Sequence, residues 1–161
     1  MDKKYLMIGL SLVAVIIIAT VFAAKNQYKP VDTSVLNSVG EITLYKSETC
    51  GCCSLYIDYL ERNTELTVNV VDAGGDNSIK DRYNIPLELR SCHTAIYGDY
   101  FVEGHVPLEA IVKLIQEKPA IKGIALEGMP LGAPGMSGSP EGKFTIYAIQ
   151  NDGSITEFMT I

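Results

Sequence analysis

Residues 41–72 read EITLYKSETCGCCSLYIDYLERNTELTVNVVD, and this stretch decides the fold. Glu41–Lys46 is rich in β-formers and alternates between apolar and polar side chains, which predicts a strand. Ser54–Asn63 carries apolar residues at helical spacing, and Leu66–Asp72 is again β-rich. A strand, a helix and a second strand in this order predict a parallel pair joined by a right-handed crossover. Three cysteines lie between the first strand and the helix.

The segment that follows a Gly-Gly break predicts the second half of the domain. Ser78–Asn84 predicts a short polar helix. Thr94–Tyr97 and Tyr100–Glu103 predict a hairpin around the Gly-Asp turn at 98–99. A last helix is predicted from Pro107, since proline is tolerated where the first N–H has no helical partner. The order βαβα and then ββα is the plan of thioredoxin and glutaredoxin, so we predict an α/β, thioredoxin-like domain.

The composition of the chain changes after Lys118. Gly128–Gly142 (GMPLGAPGMSGSPEG) is too rich in Gly and Pro for a regular helix or strand. Lys143–Gln150 and Ser154–Ile161 predict a hairpin across an Asn-Asp-Gly turn. We therefore predict a domain over residues 41–161 whose C-terminal extension, residues 119–161, consists of a Gly/Pro/Met loop and a β-hairpin.

The N-terminal stretch YLMIGLSLVAVIIIATVFAA, residues 5–24, contains no charged residue. Twenty residues at about 1.5 Å each match the hydrocarbon thickness of a bilayer, so one transmembrane helix is predicted. A cleaved signal peptide is the alternative, although the run exceeds the usual signal core of roughly 7–15 residues. We expect residues 1–24 to be a transmembrane anchor or signal segment and residues 25–40 a linker. Either alternative places the domain outside the cytoplasm, and the anchor makes the membrane a partner.

The charge balance excludes one class of function. The net charge is −6 and the isoelectric point is about 4.9. Neutralisation of phosphates by basic side chains supplies most of the affinity for nucleic acids. An acidic chain without a basic stripe is therefore not expected to have a nucleic-acid partner.

The cysteine cluster combines two kinds of chemistry. Cys50 and Cys53 have the C-x-x-C spacing of redox motifs, and a thiol at a helix N-terminus is stabilised as the thiolate. Cys52 adds a third sulfur, which offers wrong partners in disulfide exchange but suits metal binding. Soft thiolates select Cu(I), Zn(II) and iron–sulfur centres. The pattern favours a soft-metal site, and a plain disulfide between Cys50 and Cys53 remains the alternative.

A second pair of candidate ligands, Cys92 and His93, lies in the loop before the third predicted strand. In glutaredoxin-like proteins this loop faces the C-x-x-C motif and usually carries a cis-proline, whereas residues 91–94 read SCHT. If the fold is as predicted, a fourth thiolate and an imidazole arrive beside the cluster. The alternative for Cys92 is a small buried hydrophobic residue, since free cysteine is among the most buried residue types.

Three further residues are candidate metal ligands, and each also has a structural alternative. His105 is either a ligand or a residue at the hairpin end or helix cap. Met129 and Met136 are either gap-fillers or thioether ligands, which a flexible Gly-Pro loop would bring to Cu(I). We predict that all three belong to the metal site.

Three motifs in order carry a resemblance to a known family. They are YKSETCGCC (45–53), SCHTAIYGDYFVEGHVP (91–107) and GMPLGAPGM (128–136). They resemble the exported copper-resistance proteins called CopG, over essentially the whole soluble domain. The resemblance implies a thioredoxin-like fold with a C-terminal extension and a role in copper handling. The implied ligands are Cys50, Cys52, Cys53 and Cys92, and matching motifs contain His93, His105, Met129 and Met136.

Three functions follow as hypotheses. The first is an extracytoplasmic protein that binds Cu(I) in a site of one or several ions. Such a protein buffers copper, passes it to copper-exporting or copper-carrying proteins, or interconverts Cu(I) and Cu(II). The second is a thiol–disulfide oxidoreductase of thioredoxin type that uses Cys50 and Cys53. The third is a structural zinc site with four ligands. Whether the protein is an enzyme stays open at this stage.

Overall fold

The computed structural model describes residues 30–74 and 77–161. The predicted membrane segment, residues 5–24, and the first part of the predicted linker lie outside the described residues. Within the described ranges, no helix has the length and apolar character that crossing a membrane requires.

In the described residues, the domain consists of one sheet and three α-helices. The strands are β1 (Glu41–Lys46), β2 (Thr67–Asp72), β3 (His93–Tyr97), β4 (Tyr100–Glu103), β5 (Ile121–Leu126), β6 (Thr145–Gln150) and β7 (Ile155–Thr160). The helices are α1 (Gly51–Asn63), α2 (Ser78–Arg82) and α3 (Leu108–Glu117). Two short 3₁₀ turns cover Ser34–Ser38 and Leu87–Leu89.

The seven strands form one mixed sheet in the order β2-β1-β3-β4-β5-β6-β7. β1 pairs with β2 in parallel, and β4 pairs with β5 in parallel. Each parallel pair is connected through a helix, α1 in the first case and α3 in the second. The remaining neighbours are antiparallel. The predicted α/β class, the first parallel pair and the two hairpins are confirmed.

Strand β5 was not predicted, and it changes how the C-terminal extension relates to the domain. Ile121–Leu126 (IKGIAL) ends in a continuous buried run instead of alternating, and it contains a glycine that weakens a strand pattern. β5 lies between β4 and β6, so the predicted hairpin β6–β7 continues the same sheet. The extension therefore adds strands to the central sheet, and the Gly/Pro/Met loop connects two of these strands.

The two faces of the sheet carry different helices. The ring of Tyr56 in α1 lies 4.6 Å from the ring of His93 in β3. Lys80 in α2 contacts Thr94 and Glu103, whose side chains project from the opposite face, because neighbouring residues of a strand point to opposite sides. That second face also carries a cluster of buried apolar residues: Ile85, Leu89, Phe101, Ala125 and Ile149.

Part of the segment predicted as a linker packs with the domain. Leu36, in the first 3₁₀ turn, is fully buried. Thr33 donates a hydrogen bond to the carbonyl of Asn63, and Asn37 donates one to Glu65. The 3₁₀ turn that contains Leu36 lies against α3, and the compact unit begins at Asp32.

Candidate metal centre

The start of α1 positions the cysteine cluster. The helix begins at Gly51, three residues earlier than its apolar spacing predicts, and Cys50 is its N-cap residue. The sulfur of Cys50 accepts a hydrogen bond from the N–H of Cys53 at 3.4 Å. Cys52 and Cys53 therefore lie in the first helical turn, where the exposed N–H groups and the helix dipole favour negative charge on sulfur.

The four cysteines lie close together, but two of them are oxidised and two are not. Cys50 and Cys53 form a disulfide, whereas Cys52 and Cys92 are free and half-buried. The Sγ of Cys52 is 3.5 Å from that of Cys50 and 3.9 Å from that of Cys92. All four sulfurs lie within 4.8 Å of one another. The predicted convergence of Cys92 with the cluster is present in the structure.

The spacing of these sulfurs suits shared coordination. Two thiolates bound to one tetrahedral ion at about 2.3 Å each lie about 3.8 Å apart. The 3.9 Å separation of the free sulfurs of Cys52 and Cys92 already matches this value. Cys50 and Cys53 become ligands only after their disulfide is reduced, because the thiolate is the form that binds metal.

His105 is oriented toward Cys92 by the Gly/Pro/Met loop. Its Nδ1 lies 2.7 Å from the carbonyl oxygen of Pro134 and must donate, since a carbonyl only accepts. The lone pair of Nε2 then faces the sulfur of Cys92 at 3.2 Å. Burial lowers the pKa of His105, which keeps the imidazole neutral. An imidazole fixed in this way by a carbonyl is typical of metal-binding histidines.

His93 contributes a second neutral imidazole. Its Nδ1 lies 3.5 Å from the sulfur of Cys92. Burial, followed by the nearby His105 and Lys80, lowers the pKa of His93 to about 3. Its Nε2 is buried and has no hydrogen-bond partner in the described part of the chain. Buried polar atoms are nearly always satisfied, so Nε2 is an exception, and the nitrogen of His93 that lies toward the sulfur of Cys92 is Nδ1.

Cys92 belongs to both groups of candidate ligands. Its sulfur lies with the other three cysteines, and it also lies within 4.8 Å of the ligand nitrogens of His93 and His105. Burial, followed by the neighbouring Cys52, raises the pKa of Cys92 to about 11. The metal-free thiol is therefore protonated at neutral pH, and a bound ion displaces that proton.

A buried polar network that the sequence did not reveal supports the loop of Cys92. The carboxylate of Glu103 accepts hydrogen bonds from Lys80 at 2.5 Å, from Thr94 at 2.6 Å and from the N–H of Ser91 at 2.6 Å. Burial raises the pKa of Glu103, and the Lys80 ammonium opposes that shift. The bond to Ser91 fixes the backbone one residue before Cys92. No local sequence pattern indicates that α2 and β4 supply these partners.

The Gly/Pro/Met loop reaches the site through its backbone. Besides the Pro134 carbonyl, the carbonyl of Gly128 accepts a hydrogen bond from Ser91 at 2.9 Å. Met136 is half-buried, whereas Met129 is 53% exposed. The loop is thus anchored at the site, and a role of either methionine as a ligand stays a prediction.

Gly135 allows the loop to lie against α1, and this close approach is testable. A Cβ at this position would lie 2.7 Å from the backbone nitrogen of Tyr56 and 3.0 Å from the carbonyl oxygen of Cys52, and φ is +77°. We expect Gly135→Ala to lower the free energy of unfolding by about 1–3 kcal/mol, because the backbone must shift away. Urea unfolding of the metal-free chain measures this.

Gly128→Ala is the matched control. Gly128 also has a positive φ, +67°, but a Cβ there meets nothing within 4 Å. It therefore reports the backbone strain alone, and Gly135→Ala should cost clearly more. Equal losses of stability in the two variants would show that the contact with α1 contributes nothing.

The fold and the site together define a mixed α/β protein with a cluster of four cysteines and two neutral histidines of metal-ligand type. Residues 89–136 match a family described as "Protein of unknown function, DUF411". No curated protein matches the chain.

Two solved structures are similar to this chain over most of its length. They are the copper resistance protein copG in Form 1 and Form 2, each 32% identical in sequence. Each match covers 75% of this chain and 96% or 97% of the other, with TM-scores of 0.68 and 0.69. The chain belongs to the CopG family of copper-resistance proteins.

Proposed function

We propose that this protein is an extracytoplasmic copper-binding protein of copper resistance. The observation that carries the proposal is the convergence of Cys92 on the cysteines at the start of α1. In this proposal Cys50, Cys52, Cys53 and Cys92 bind Cu(I) as thiolates, and His93 and His105 add neutral nitrogen donors. Thiolate and imidazole are donor types that Cu(I) accepts.

The domain is proposed to be thioredoxin-like with a C-terminal extension. Support comes from the order β2-β1-β3-β4, with β1 and β2 parallel and β3 antiparallel to β1. The cysteine motif at the junction of β1 and α1 also corresponds to this plan. The departure from it is Cys92, which stands where such domains usually carry a cis-proline; the described residues contain no cis peptide bond.

The location outside the cytoplasm is proposed from the uncharged run at residues 5–24. In this proposal the run anchors the chain in the membrane, or is removed as a signal, and residues 25–40 contain the connection to the domain. A disulfide between Cys50 and Cys53 agrees with such a location, because disulfides persist in oxidising compartments. Copper-exporting or copper-carrying proteins are the partners that this position implies.

The observed disulfide also supports a redox role for the same site. Two Cu(II) ions together accept the two electrons that the Cys50 and Cys53 thiolates release. The sulfur–sulfur bond forms and two Cu(I) ions result, so reduced thiolates are needed again before all four cysteines bind Cu(I). The sulfurs of Cys52 and Cys92, which stay outside the disulfide, remain available to hold copper in both states.

The test is an anaerobic Cu(I) titration of the full-length chain, purified in mild detergent and fully reduced with dithiothreitol that is then removed. We expect about two or more tightly held Cu(I) ions per chain, because soft thiolates bridge several ions. Cys52→Ser should lower that number, since it removes the sulfur between Cys50 and Cys92. Total-metal analysis after desalting gives the count.

Ser54→Ala, an exposed change in the same helical turn, should leave the count unchanged. An unaltered count in Cys52→Ser would contradict the multinuclear site. Retention of zinc in place of copper would favour the structural zinc site. A chain that takes up no copper but reduces insulin disulfides would instead be a thiol–disulfide oxidoreductase, the alternative that the Cys50–Cys53 disulfide favours.

A further inference from the structure

We propose that the cavity beside Cys50 binds a small anionic thiol, which reduces the Cys50–Cys53 disulfide. The inference rests on the proposed function, because the reduction frees two thiolates that can then bind metal. The cavity has a volume of about 300 Å³, and its walls include Cys50, Cys92, Lys46 and Lys80. A cavity of this size accommodates a small molecule but not a folded protein segment.

The walls of this cavity are positively charged. Lys46 and Lys80 both line it, and none of the described lining residues is an aspartate or glutamate. Glu103 neutralises Lys80. The ammonium of Lys46 is bonded to the carbonyls of Ser47 and Glu48 and forms no ion pair in the ranges that the structure describes. A nearly buried ammonium that faces only neutral acceptors attracts a carboxylate, which would compensate its charge.

The wall also offers neutral hydrogen-bonding groups close to the sulfur. The hydroxyls of Ser47 and Thr49 lie 3.1 Å apart, and both residues line the cavity together with Cys50. Hydroxyls both donate and accept, so they suit the amide and carboxylate groups of a small peptide-like molecule. The chemical class that fits is therefore a low-molecular-weight thiol that carries carboxylates.

Accessibility determines which sulfur is attacked. Cys50 is half-buried and lines the cavity, whereas Cys53 is fully buried and its sulfur faces the carbonyl of Cys92. A thiolate in the cavity thus forms a bond to the sulfur of Cys50, the Cys50–Cys53 bond breaks, and Cys53 leaves as the thiolate. A second thiolate then attacks the small-thiol sulfur of the mixed disulfide. The products are the free Cys50 thiolate and the symmetric small-molecule disulfide, so two thiols supply the two electrons.

The experiment compares thiols of different charge on the metal-free, disulfide-containing full-length chain in detergent. The probes are glutathione, which is anionic, mercaptoethanol, which is neutral, and cysteamine, which is cationic. Each second-order rate is divided by the rate of the same thiol with hydroxyethyl disulfide, which removes differences in thiol acidity. We expect the glutathione ratio to exceed the cysteamine ratio about tenfold or more and to fall with added salt. Equal ratios would overturn the proposal.

A lysine substitution locates the effect in the cavity. Lys46→Gln should lower the glutathione ratio about tenfold and leave the mercaptoethanol ratio unchanged, because only the charge is lost. Lys143→Gln removes the same charge from an exposed lysine that lines a different cavity and should change neither. An unchanged glutathione ratio in Lys46→Gln would overturn the assignment. If Lys46→Gln lacks the near-ultraviolet dichroism of the folded chain, this variant is set aside. The comparison of the three thiols on the unaltered chain, with its salt dependence, then decides whether the proposal holds.

Two further outcomes separate this inference from the proposed function. If the chain reduced with dithiothreitol takes up Cu(I) but shows no dependence on thiol charge, the inference is wrong and the function stands. If the dependence on charge is present but the reduced chain takes up no Cu(I), the cavity assignment stands and the copper function is wrong. Preferential reduction by a protein dithiol, at rates that Lys46→Gln does not alter, would replace the small thiol by a protein partner and overturn the inference.

Discussion

Replacing Glu103 with Gln is expected to lower the free energy of unfolding by about 3–5 kcal/mol, one of the largest losses that a single change in this domain can cause. The carboxylate is fully buried and accepts three hydrogen bonds, from Lys80, Thr94 and the N–H of Ser91. The amide has the same shape but no charge, so the nearly buried ammonium of Lys80 loses its counter-charge. Urea unfolding of the metal-free chain measures the loss.

An exposed ion pair of similar length provides the matched control. Arg90 and Asp81 lie 2.6 Å apart, but the side chain of Asp81 is 65% exposed. Asp81→Asn should cost about 1 kcal/mol or less, because the carboxylate that is lost is mostly solvated. The Arg90 side chain, 18% exposed, keeps its hydrogen bond to the carbonyl of Ile85. The double change Lys80→Met with Glu103→Leu should recover part of the loss of Glu103→Gln, since it leaves no buried charge unpaired. A loss in Glu103→Gln no greater than in Asp81→Asn would contradict a structural role of the buried pair.

Local patterns in the sequence were sufficient to predict the first half of the fold. Strand β1 and helix α1 each bury one side of a short segment, so their apolar spacing shows directly in the sequence. Strand β2 is an exposed edge strand and was visible through its β-rich composition instead. The hairpin β3–β4 was equally visible, because the turn at Gly98 requires a positive φ of 59° that glycine adopts without strain. These predictions depend only on neighbouring residues.

Strand β5 could not be predicted in the same way. It lies between β4 and β6 within the sheet, and its last four residues are all buried. A continuous apolar run of this length does not distinguish a central strand from a buried helix or loop. Its identity follows from the sheet that it completes, and hence from pairings between residues far apart in the sequence.

The candidate site also has parts that the sequence predicted and parts that it did not. The cysteine cluster was visible as a motif, and the approach of Cys92 followed from the order of the elements. The buried pair of Lys80 and Glu103 was not visible, because its members come from α2 and β4 and neither lies in a recognisable pattern. The carbonyl of Pro134 that orients His105 was also invisible, since every residue has a carbonyl and only the folded loop selects this one.

Cys92→Ala is expected to weaken the binding of Cu(I) to the reduced chain about 100-fold or more. Cys92 is the only residue shared by the two groups of candidate ligands that the described part of the chain contains. Structural zinc sites of four ligands contribute roughly 10–16 kcal/mol. On the same scale one ligand of a four-ligand copper site contributes about 3 kcal/mol, which corresponds to that factor. Competition with a chelator that binds Cu(I) and absorbs visible light measures the change.

The controls separate loss of a ligand from loss of the loop that holds it. Ser91→Ala removes the hydrogen bond to the carbonyl of Gly128 but leaves all the sulfurs in place, so it should weaken binding far less than Cys92→Ala. Metal-free Cys92→Ala should keep nearly the stability of the unaltered chain, because its thiol is only half-buried. A change in Cu(I) affinity no larger than that of Ser91→Ala would show that Cys92 is not a ligand.

A double-variant cycle with His105→Ala tests whether the sulfur and the imidazole hold the same ion. The Nε2 of His105 is 3.2 Å from the sulfur of Cys92, and the Pro134 carbonyl fixes its lone pair in that direction. If both atoms bind one ion, the loss in the double variant should differ from the sum of the single losses by about 0.5–3 kcal/mol, because neighbouring groups that share a partner are coupled. If the losses add, the thiol and the imidazole do not share an ion, and Cys92 and His105 do not form one site.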